Sequence, residues 1–346
     1  MKKTLLALGV LTAFAGAASA QSSVTLFGVL DVNMRSVKTG ATRLSKMEND
    51  GISSSRFGIR GEEDLGNGLK AGFWLEAPIS ADTGAGNTTK FFNRRSTVSL
   101  TSATLGEVRL GRDNQTIWNQ AAAFDVFGTV GVATAAQLID KVGSGVTDTT
   151  RTDNAVSYFL PGGLGGLYGQ LQFAMGEGAN KDKLNGTRIG FKTGGFDAAV
   201  ATSYVNVPAV ASPNGARWKQ VHAGASYDFS VVKLYAQYIV NKNTDPTPDA
   251  KQKVWELAAS APVGAAGLVK FGYAKSSDYK AATKIGLGYQ HNLSKRTALY
   301  ANYGQIKNKA ATSTGVPADF VVKTAPAATA ALQKSTGYEI GIRHNF

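Results

Sequence analysis

The amino-acid sequence predicts an all-β fold, a sixteen-stranded antiparallel transmembrane β-barrel whose third long loop folds inward. Three observations lead to this prediction. Segments of about ten residues alternate between apolar and polar side chains, short turns alternate with long polar stretches between them, and the chain ends in an alternating segment with a terminal aromatic residue. Glycine is frequent, at 40 residues, and proline is rare, at nine, as expected for many strands joined by tight turns.

The alternation has the period of two that is typical of a β-strand with two different faces. In the segment 55–62, for example, Phe57 and Ile59 share one parity. Arg56, Arg60 and Glu62 share the other. An even number of such segments is what an up-and-down barrel needs, and sixteen strands enclose a lumen wide enough for water. The predicted strands are 23–35, 51–62, 68–77, 91–102, 105–112, 153–160, 166–176, 186–193, 196–206, 217–229, 231–241, 251–261, 267–276, 282–292, 296–307 and 335–346.

Tight turns, such as those at 65–68 and 262–264, lie at one end of the predicted strands. Long loops at the other end complete the asymmetry that is typical of outer-membrane barrels. The stretch 114–151 is unusually rich in small and apolar residues for a surface loop, so we expect it to fold into the lumen as a constriction loop. The predicted long stretches are 36–50, 78–90, 114–151, 177–185, 207–215, 242–250 and 308–333.

The N-terminal residues 1–20 have the pattern of an export signal: two lysines, a short apolar run and an Ala-x-Ala cleavage site. The mature barrel domain is therefore expected to span 21–346, with Gln21 at its N-terminus. No later run approaches 18 apolar residues, so no transmembrane helix is predicted. The sequence has no cysteine and only three dispersed histidines, which argues against a metal site or a catalytic triad. The net charge of +13 is spread along an exported chain, which argues against nucleic acid as a partner.

The C-terminal segment ends on Phe346, which shares its parity with Tyr338, Ile340 and Ile342. We expect this face to contact lipid and to serve as the signal by which barrel-insertion machinery recognises the chain. The alternative is an ordinary strand that happens to end in phenylalanine. In either case the last strand has to pair with the first, because an unpaired edge cannot lie in a membrane.

Several motifs in this order resemble the trimeric porins of β-proteobacteria. They are SSVTLFGVLDV (22–32), SSRFGIRGEEDLGNGLKAGFWLE (54–76), RRSTVSL with LGEVRLGRD (94–113), NLSKRTALYANY (292–303) and YEIGIRHNF (338–346). The resemblance covers the mature chain and is weakest in the long loops. It implies a homotrimer in the outer membrane of a Gram-negative bacterium, surrounded by lipid and lipopolysaccharide, with the third loop as the constriction.

Within that family the chain is most similar to anion-selective members, whose constriction places arginines opposite a few carboxylates. The matching motifs imply that Arg56, Arg94, Glu76 and Asp125 belong to the constriction. The family pattern also includes an arginine in the second half of the third loop, and 128–140 has none. Lys141 and Arg151 are the two alternatives for this role.

Alternation supports the constriction only in part. Arg56, Arg60 and Glu76 have the polar, lumen-facing parity of their segments. Parity places Arg95 inward and Arg94 outward, whereas the family motif selects Arg94, so both remain candidates. A charged side chain on the lipid face costs about 2–4 kcal/mol at the membrane midplane, which favours an inward position for an arginine within a spanning segment.

The leading functional hypothesis is a passive channel for small hydrophilic solutes with a preference for anions, without cofactor or catalytic chemistry. An outer-membrane enzyme is the second hypothesis, and it lacks a readable nucleophile or acid pair. The third is a structural barrel with a plugged lumen, which would have fewer strands and a separate periplasmic domain.

Overall fold

The computed structural model describes residues 23–144, 146, 148–177, 183–206, 217–244, 250–310, 318–330 and 332–346. Eighteen strands, one α-helix and one short 3-10 helix lie within these ranges. The predicted export signal 1–20 and the predicted loop 207–215 fall outside them. The strands are β1 (Ser23–Thr39), β2 (Thr42–Asn49), β3 (Arg56–Gly66), β4 (Leu69–Ser80), β5 (Ala85–Gly86), β6 (Arg95–Ser102), β7 (Gly106–Asn114), β8 (Arg151–Phe159), β9 (Leu167–Ala174), β10 (Lys183–Thr193), β11 (Phe196–Asn206), β12 (Arg217–Asp228), β13 (Lys233–Asn243), β14 (Ala250–Val263), β15 (Gly267–Asp278), β16 (Ala281–Asn292), β17 (Thr297–Lys309) and β18 (Lys334–Asn345).

The strands form one closed antiparallel barrel, as predicted. Each wall strand pairs with its neighbour in sequence, and β18 pairs with β1 from Asn345 opposite Val29 to Ser335 opposite Thr39. The wall contains sixteen strands, because β2 and β3 both pair with β1 and together make the second wall strand, while β5 pairs only with the end of β4. In the described residues each of the sixteen wall strands has a neighbour on both sides, which is the condition for β-structure in lipid.

The predicted loop at 36–50 is wrong: this stretch forms a hairpin. β1 continues to Thr39 and β2 returns from Thr42, with residues 32–39 paired to 49–42. Gly40, in the turn, has a φ of +56°, a left-handed conformation that glycine adopts without strain. The sequence concealed this extension because both of its faces are rich in polar residues, so the alternation that marks the spanning segments is absent there.

The two faces of the barrel differ as the alternation predicted. On β13, Leu234 and Tyr238 are 46% and 44% exposed, whereas Gln237 and Asn241 on the other parity are 7% and 0% exposed. The apolar parity therefore faces outward along this strand, the reverse of a water-soluble barrel. No helix in the described part of the chain is long and apolar enough to cross a membrane.

The β7–β8 segment, residues 115–150, packs against the polar face of the sheet. It contains helix α1 (Thr116–Phe124) and the 3-10 helix η1 (Ala135–Leu138). Helix α1 contacts β9 to β13, and η1 contacts β15 and β16. The buried side chains of α1 include Ile117, Ala121 and Phe124, which explains why the sequence of this segment is so apolar.

Candidate functional site

Five arginines line a cavity of about 340 Å³ on the polar face of β3 to β8. We call them the arginine cluster: Arg56, Arg94, Arg95, Arg109 and Arg151. The other residues around the cavity are Trp74, Glu76, Asp113, Asn114 and Asn119. Five guanidinium groups and two carboxylates leave an excess of three positive charges at one place on the wall.

Glu76 is the acidic centre of the cluster. It lies on β4 opposite Gly58 of β3 and Arg95 of β6. Its carboxylate pairs with the guanidinium of Arg94, and the Nε of Arg56 lies 3.8 Å from the same oxygen. The indole nitrogen of Trp74 donates a hydrogen bond to the other carboxylate oxygen at 3.2 Å. One carboxylate therefore holds two arginines side by side against their mutual repulsion.

Arg94 and Arg95 both line the cavity, although alternation placed them on opposite faces. β6 begins at Arg95, whose partner across the ladder is Glu76, so Arg95 has the inward parity. Arg94 precedes the strand, and its backbone N–H donates to the carbonyl of Glu76 at 3.1 Å. Arg94 lies outside the strand, so its side chain does not follow the alternation of β6.

The aromatic ring of Trp74 makes cation–π contacts with two guanidinium groups. The guanidinium carbon of Arg95 lies 4.5 Å from the Trp74 ring centre, and that of Arg60 lies 4.9 Å from it. Such contacts contribute about 0.5–1 kcal/mol each at exposed sites. Arg60 is exposed and does not line the cavity, so the structure places it beside the cluster.

Sequence reasoning missed Arg109, which the alternation of β7 could have identified. Val108 and Leu110 are exposed on the apolar face, and Arg109 lies between them on the other parity. Its guanidinium binds Glu107 at 2.9 Å and Asp113 at 2.6 Å. Asp113 follows a bulge in the β7–β8 ladder, where the sequence offers no reliable parity.

Of the two alternatives for the third-loop arginine, Arg151 lies in the cluster, at the first position of β8. Lys141 lies outside the cluster, and its ammonium donates to the carbonyl of Val146 at 2.6 Å. Near Arg151, burial opposes ionisation of Asp148. Hydrogen bonds from the backbone of Arg151 and Thr150, and from the guanidinium of Arg112 at 2.9 Å, outweigh burial and lower the pKa of Asp148.

Asp125 is not part of the arginine cluster. It is 5% exposed, and it accepts hydrogen bonds from the Thr134 hydroxyl and from the backbone N–H of Phe127 at 2.8 Å. Burial raises the pKa of the Asp125 carboxyl despite these hydrogen bonds. The structure therefore places Asp125 at the centre of a turn within the β7–β8 segment. Asp125 lies close to Glu256 of β14, away from the strands that carry the arginine cluster.

Opposite the cluster, the β7–β8 segment rests on a surface made of backbone. We call this surface the glycine wall: Gly272, Gly286, Gly288, Gly304 and Gly337 of β15 to β18. A Cβ atom on Gly286 would lie 2.5 Å from the carbonyl oxygen of Ala133, and one on Gly304 would come closer still to the carbonyl of Val132. These contacts require the absence of a side chain.

Polar contacts and a second loop secure the segment on the glycine wall. The buried ammonium of Lys284 donates to the Val132 carbonyl at 2.8 Å, and Glu339 accepts the Val132 N–H at 3.2 Å. Lys280 lies between Asp140 of the segment at 3.1 Å and Asp319 of the last loop at 2.9 Å. Burial lowers the pKa of Lys280, but these two carboxylates outweigh it and raise that pKa above its usual range.

The C-terminal strand has the predicted two faces. Tyr338, Ile340 and Ile342 are exposed, whereas Glu339 is buried. Phe346 lies beyond β18, and its backbone N–H and carbonyl form hydrogen bonds with Gly28 of β1 at 3.1 and 3.0 Å. The terminal residue therefore takes part in closing the barrel.

A sixteen-stranded closed barrel with an apolar outer face, a polar inner face and a charged cavity defines an outer-membrane channel protein. Residues 7–311 match the family model described as Gram-negative porin, and the chain belongs to that family. The chain is 41% identical to outer membrane porin protein 32 of Delftia acidovorans and 31% identical to an outer membrane porin protein of Bordetella pertussis. Both alignments cover 100% of each chain. The solved structure described as the anion-selective porin from Comamonas acidovorans is 35% identical and superposes with a TM-score of 0.83, covering 94% of this chain and 100% of that one.

The family membership places the chain in the outer membrane of a Gram-negative bacterium and makes it a passive channel, not an enzyme. The sequence-based prediction of an outer-membrane porin that acts as a passive channel is confirmed.

Proposed function

We propose that this porin conducts small hydrophilic solutes with a preference for anions, and that the arginine cluster is its selectivity filter. The observation that carries the proposal is the excess of three positive charges around one cavity on the polar face of the barrel. The similarity to the solved structure described as the anion-selective porin from Comamonas acidovorans, at 35% identity, supports the anion preference.

The β7–β8 segment concentrates the passage on this cluster. It occupies the polar side of β9 to β18 through α1, η1 and the glycine wall, so the open path is displaced toward β3 to β8. A narrow passage between walls of low dielectric constant focuses the field of a few fixed charges on the passing ion. The cluster therefore has more influence on selectivity than the more numerous charges on exposed loops.

The carboxylates in the filter moderate its selectivity. Glu76 and Asp113 lie among the arginines, so cations remain partly permeant. The preference also depends on salt, because the screening length falls from ~10 Å at 0.1 M to ~3 Å at 1 M ionic strength. We expect a weak to moderate anion preference that diminishes as the salt concentration rises.

The test is the reversal potential across a KCl gradient for the purified porin in a planar bilayer. Wild type should favour chloride, and the double variant Arg56→Ser with Arg94→Ser should lose most of this preference while it continues to conduct. The matched control is Arg43→Ser with Arg296→Ser, which removes two arginines exposed at the ends of the barrel. A cation-selective wild type, or equal effects of the two double variants, would contradict the filter assignment.

We further propose that the chain is exported through cleavage after Ala20, inserted by barrel-assembly machinery that recognises the Tyr338–Phe346 face, and assembled as a homotrimer amid lipid and lipopolysaccharide. The exposed parity of Tyr338, Ile340 and Ile342 supports the recognition step. Deletion of Phe346 should reduce the amount of inserted barrel at unchanged synthesis, measured by heat-modifiable migration of outer-membrane fractions. N-terminal sequencing of the mature protein should begin at residue 21, which tests the cleavage step. Chemical crosslinking should give a species of three chains, which tests the assembly step.

A further inference from the structure

The second wall strand is interrupted next to the arginine cluster. β2 ends at Asn49 opposite Val32, and β3 begins at Arg56 opposite Val29. The six residues from Asp50 to Ser55 thus lie opposite only two residues of β1. We call this segment the strand break. Asp50 has a φ of +65°, which turns the chain out of the ladder.

Asp31 of β1 organises the strand break. Its carboxylate accepts hydrogen bonds from three consecutive backbone N–H groups, those of Gly51 at 3.2 Å, Ile52 at 2.8 Å and Ser53 at 2.7 Å. Successive N–H groups that converge in this way form a concave site for an anion, and here the chain supplies its own. The side chain is 0% exposed, so water does not compete for these contacts.

Two further groups complete this arrangement. The hydroxyl of Tyr300, on β17, donates to the carboxylate of Asp31. The hydroxyl of Ser55 donates to the Asp31 carbonyl at 3.1 Å and lies 3.0 Å from the Asp31 N–H. Hydrogen bonds to Asp31 therefore hold the strand break at its start, middle and end. Through Tyr300, Asp31 is also connected to β17, which lies beyond β18 in the closed barrel.

The strand break in turn holds Arg56. One guanidinium nitrogen of Arg56 donates to the carbonyl of Ser54 at 2.8 Å and to the hydroxyl of Ser53 at 3.3 Å. Ser53 is hydrogen-bonded directly to Asp31, and Ser54 lies between Ser53 and Ser55, which are both hydrogen-bonded to Asp31. The position of these acceptors sets the direction of the arginine side chain, and Glu76, at 3.8 Å, adds a weaker contact.

We propose that Asp31 and Tyr300 are positioning residues for selectivity. They fix the strand break and thereby direct the Arg56 side chain toward the filter. This inference rests on the proposed function, since it deepens the role of Arg56. It also predicts the direction in which loss of the Asp31 charge changes the anion preference. Loss of a negative charge near the pore would by itself strengthen anion preference. Loss of the positioning role weakens it, because Arg56 turns away from the passage.

The test is a double-mutant cycle of Asp31→Asn and Arg56→Ser, with the anion-to-cation permeability ratio from reversal potentials as the readout. Asp31→Asn should lower the ratio in wild type, and in the Arg56→Ser background it should leave the ratio unchanged or raise it slightly, since only the loss of negative charge acts there. Single-channel conductance and heat-modifiable migration show whether the barrel is inserted. Tyr300→Phe, which retains the ring, should shift the ratio in the same direction by a smaller amount, and it replaces Asp31→Asn if that variant does not insert.

The chain offers a matched control in a second aspartate–tyrosine pair. The Tyr168 hydroxyl donates to Asp197 at 2.7 Å, on strands remote from the break. Asp197→Asn should keep or raise the ratio. An increased ratio in Asp31→Asn, or an equal decrease in both backgrounds, would overturn the positioning role while leaving the filter intact. An Arg56→Ser ratio equal to wild type would instead overturn the assignment of Arg56 to the filter, and the positioning role with it.

Discussion

The two sides of the polar face differ in the side chains that they carry. The arginine cluster on β3 to β8 keeps charged groups beside open space, and the glycine wall on β15 to β18 removes side chains so that another segment can approach. Glu76 pairs with Arg94 and Asp113 pairs with Arg109, and these ion pairs hold the arginines together in the cluster. On the glycine wall, the backbone at Val132 and Ala133 lies directly on the sheet. The β7–β8 segment lies this close to one side of the sheet because the glycines there carry no side chains, whereas the other side carries the charged groups.

The largest expected effect comes from filling the glycine wall. In Gly304→Val, the new side chain overlaps the Val132 carbonyl, so the β7–β8 segment has to move. Overpacking of this kind costs about 1–3 kcal/mol or more. We expect a lower unfolding temperature together with altered single-channel conductance. Gly162→Val is the control, since a Cβ at Gly162 meets nothing within 4 Å. An unchanged conductance in Gly304→Val would show that the segment does not shape the passage.

A smaller effect on the same side should come from the buried hydrogen bond of Lys284. Lys284→Met leaves the Val132 carbonyl without its 2.8 Å donor, at a cost of about 1–3 kcal/mol. Thermal unfolding of the barrel in detergent should shift to lower temperature, whereas the reversal potential should change little at this distance from the cluster. Lys295→Met, at an exposed turn, is the control for loss of a positive charge. A selectivity change as large as that of the Arg56 and Arg94 double variant would remove the distinction between the two sides.

The smallest effect concerns the acid within the cluster. Glu76→Gln keeps the shape of the side chain and increases the excess positive charge by one. We expect a moderately higher anion preference in reversal-potential measurements at 0.1 M KCl, and a smaller difference at 1 M, where screening is stronger. Glu62→Gln is the control, because Glu62 is exposed and paired with Lys70 at 2.6 Å. A decreased preference in Glu76→Gln would mean that this carboxylate acts mainly by holding Arg56 and Arg94 in place.

Most of the wall was predictable because lipid on one side and water on the other impose a period of two on every spanning strand. The same rule identified Arg56 and Glu76, and it could have identified Arg109. It did not apply where the ladder is interrupted or exceeds the membrane. Arg94 lies before its strand, Asp113 follows a bulge, and the hairpin at 36–50 has two polar faces.

Asp125 illustrates a different limit. Motif and composition select it as an acid of the third loop, but its partners are Thr134 and the backbone of Phe127, residues of the same turn. The local sequence does not distinguish a buried carboxylate that accepts hydrogen bonds from its own segment from a carboxylate that faces a pore. The structure assigns Asp125 to the turn, and whether it influences permeation stays a prediction.

The sequence by itself determined the class of fold, the number of wall strands and the polar parity that carries the candidate arginines. These properties depend on neighbours along one strand, where periodicity is sufficient. Only the tertiary structure decided which arginines share one cavity, why Gly286 and Gly304 carry no side chain, and that Asp31 secures the strand break beside Arg56. Each of these depends on contacts between residues far apart in the chain, and such contacts exist only once the barrel has closed.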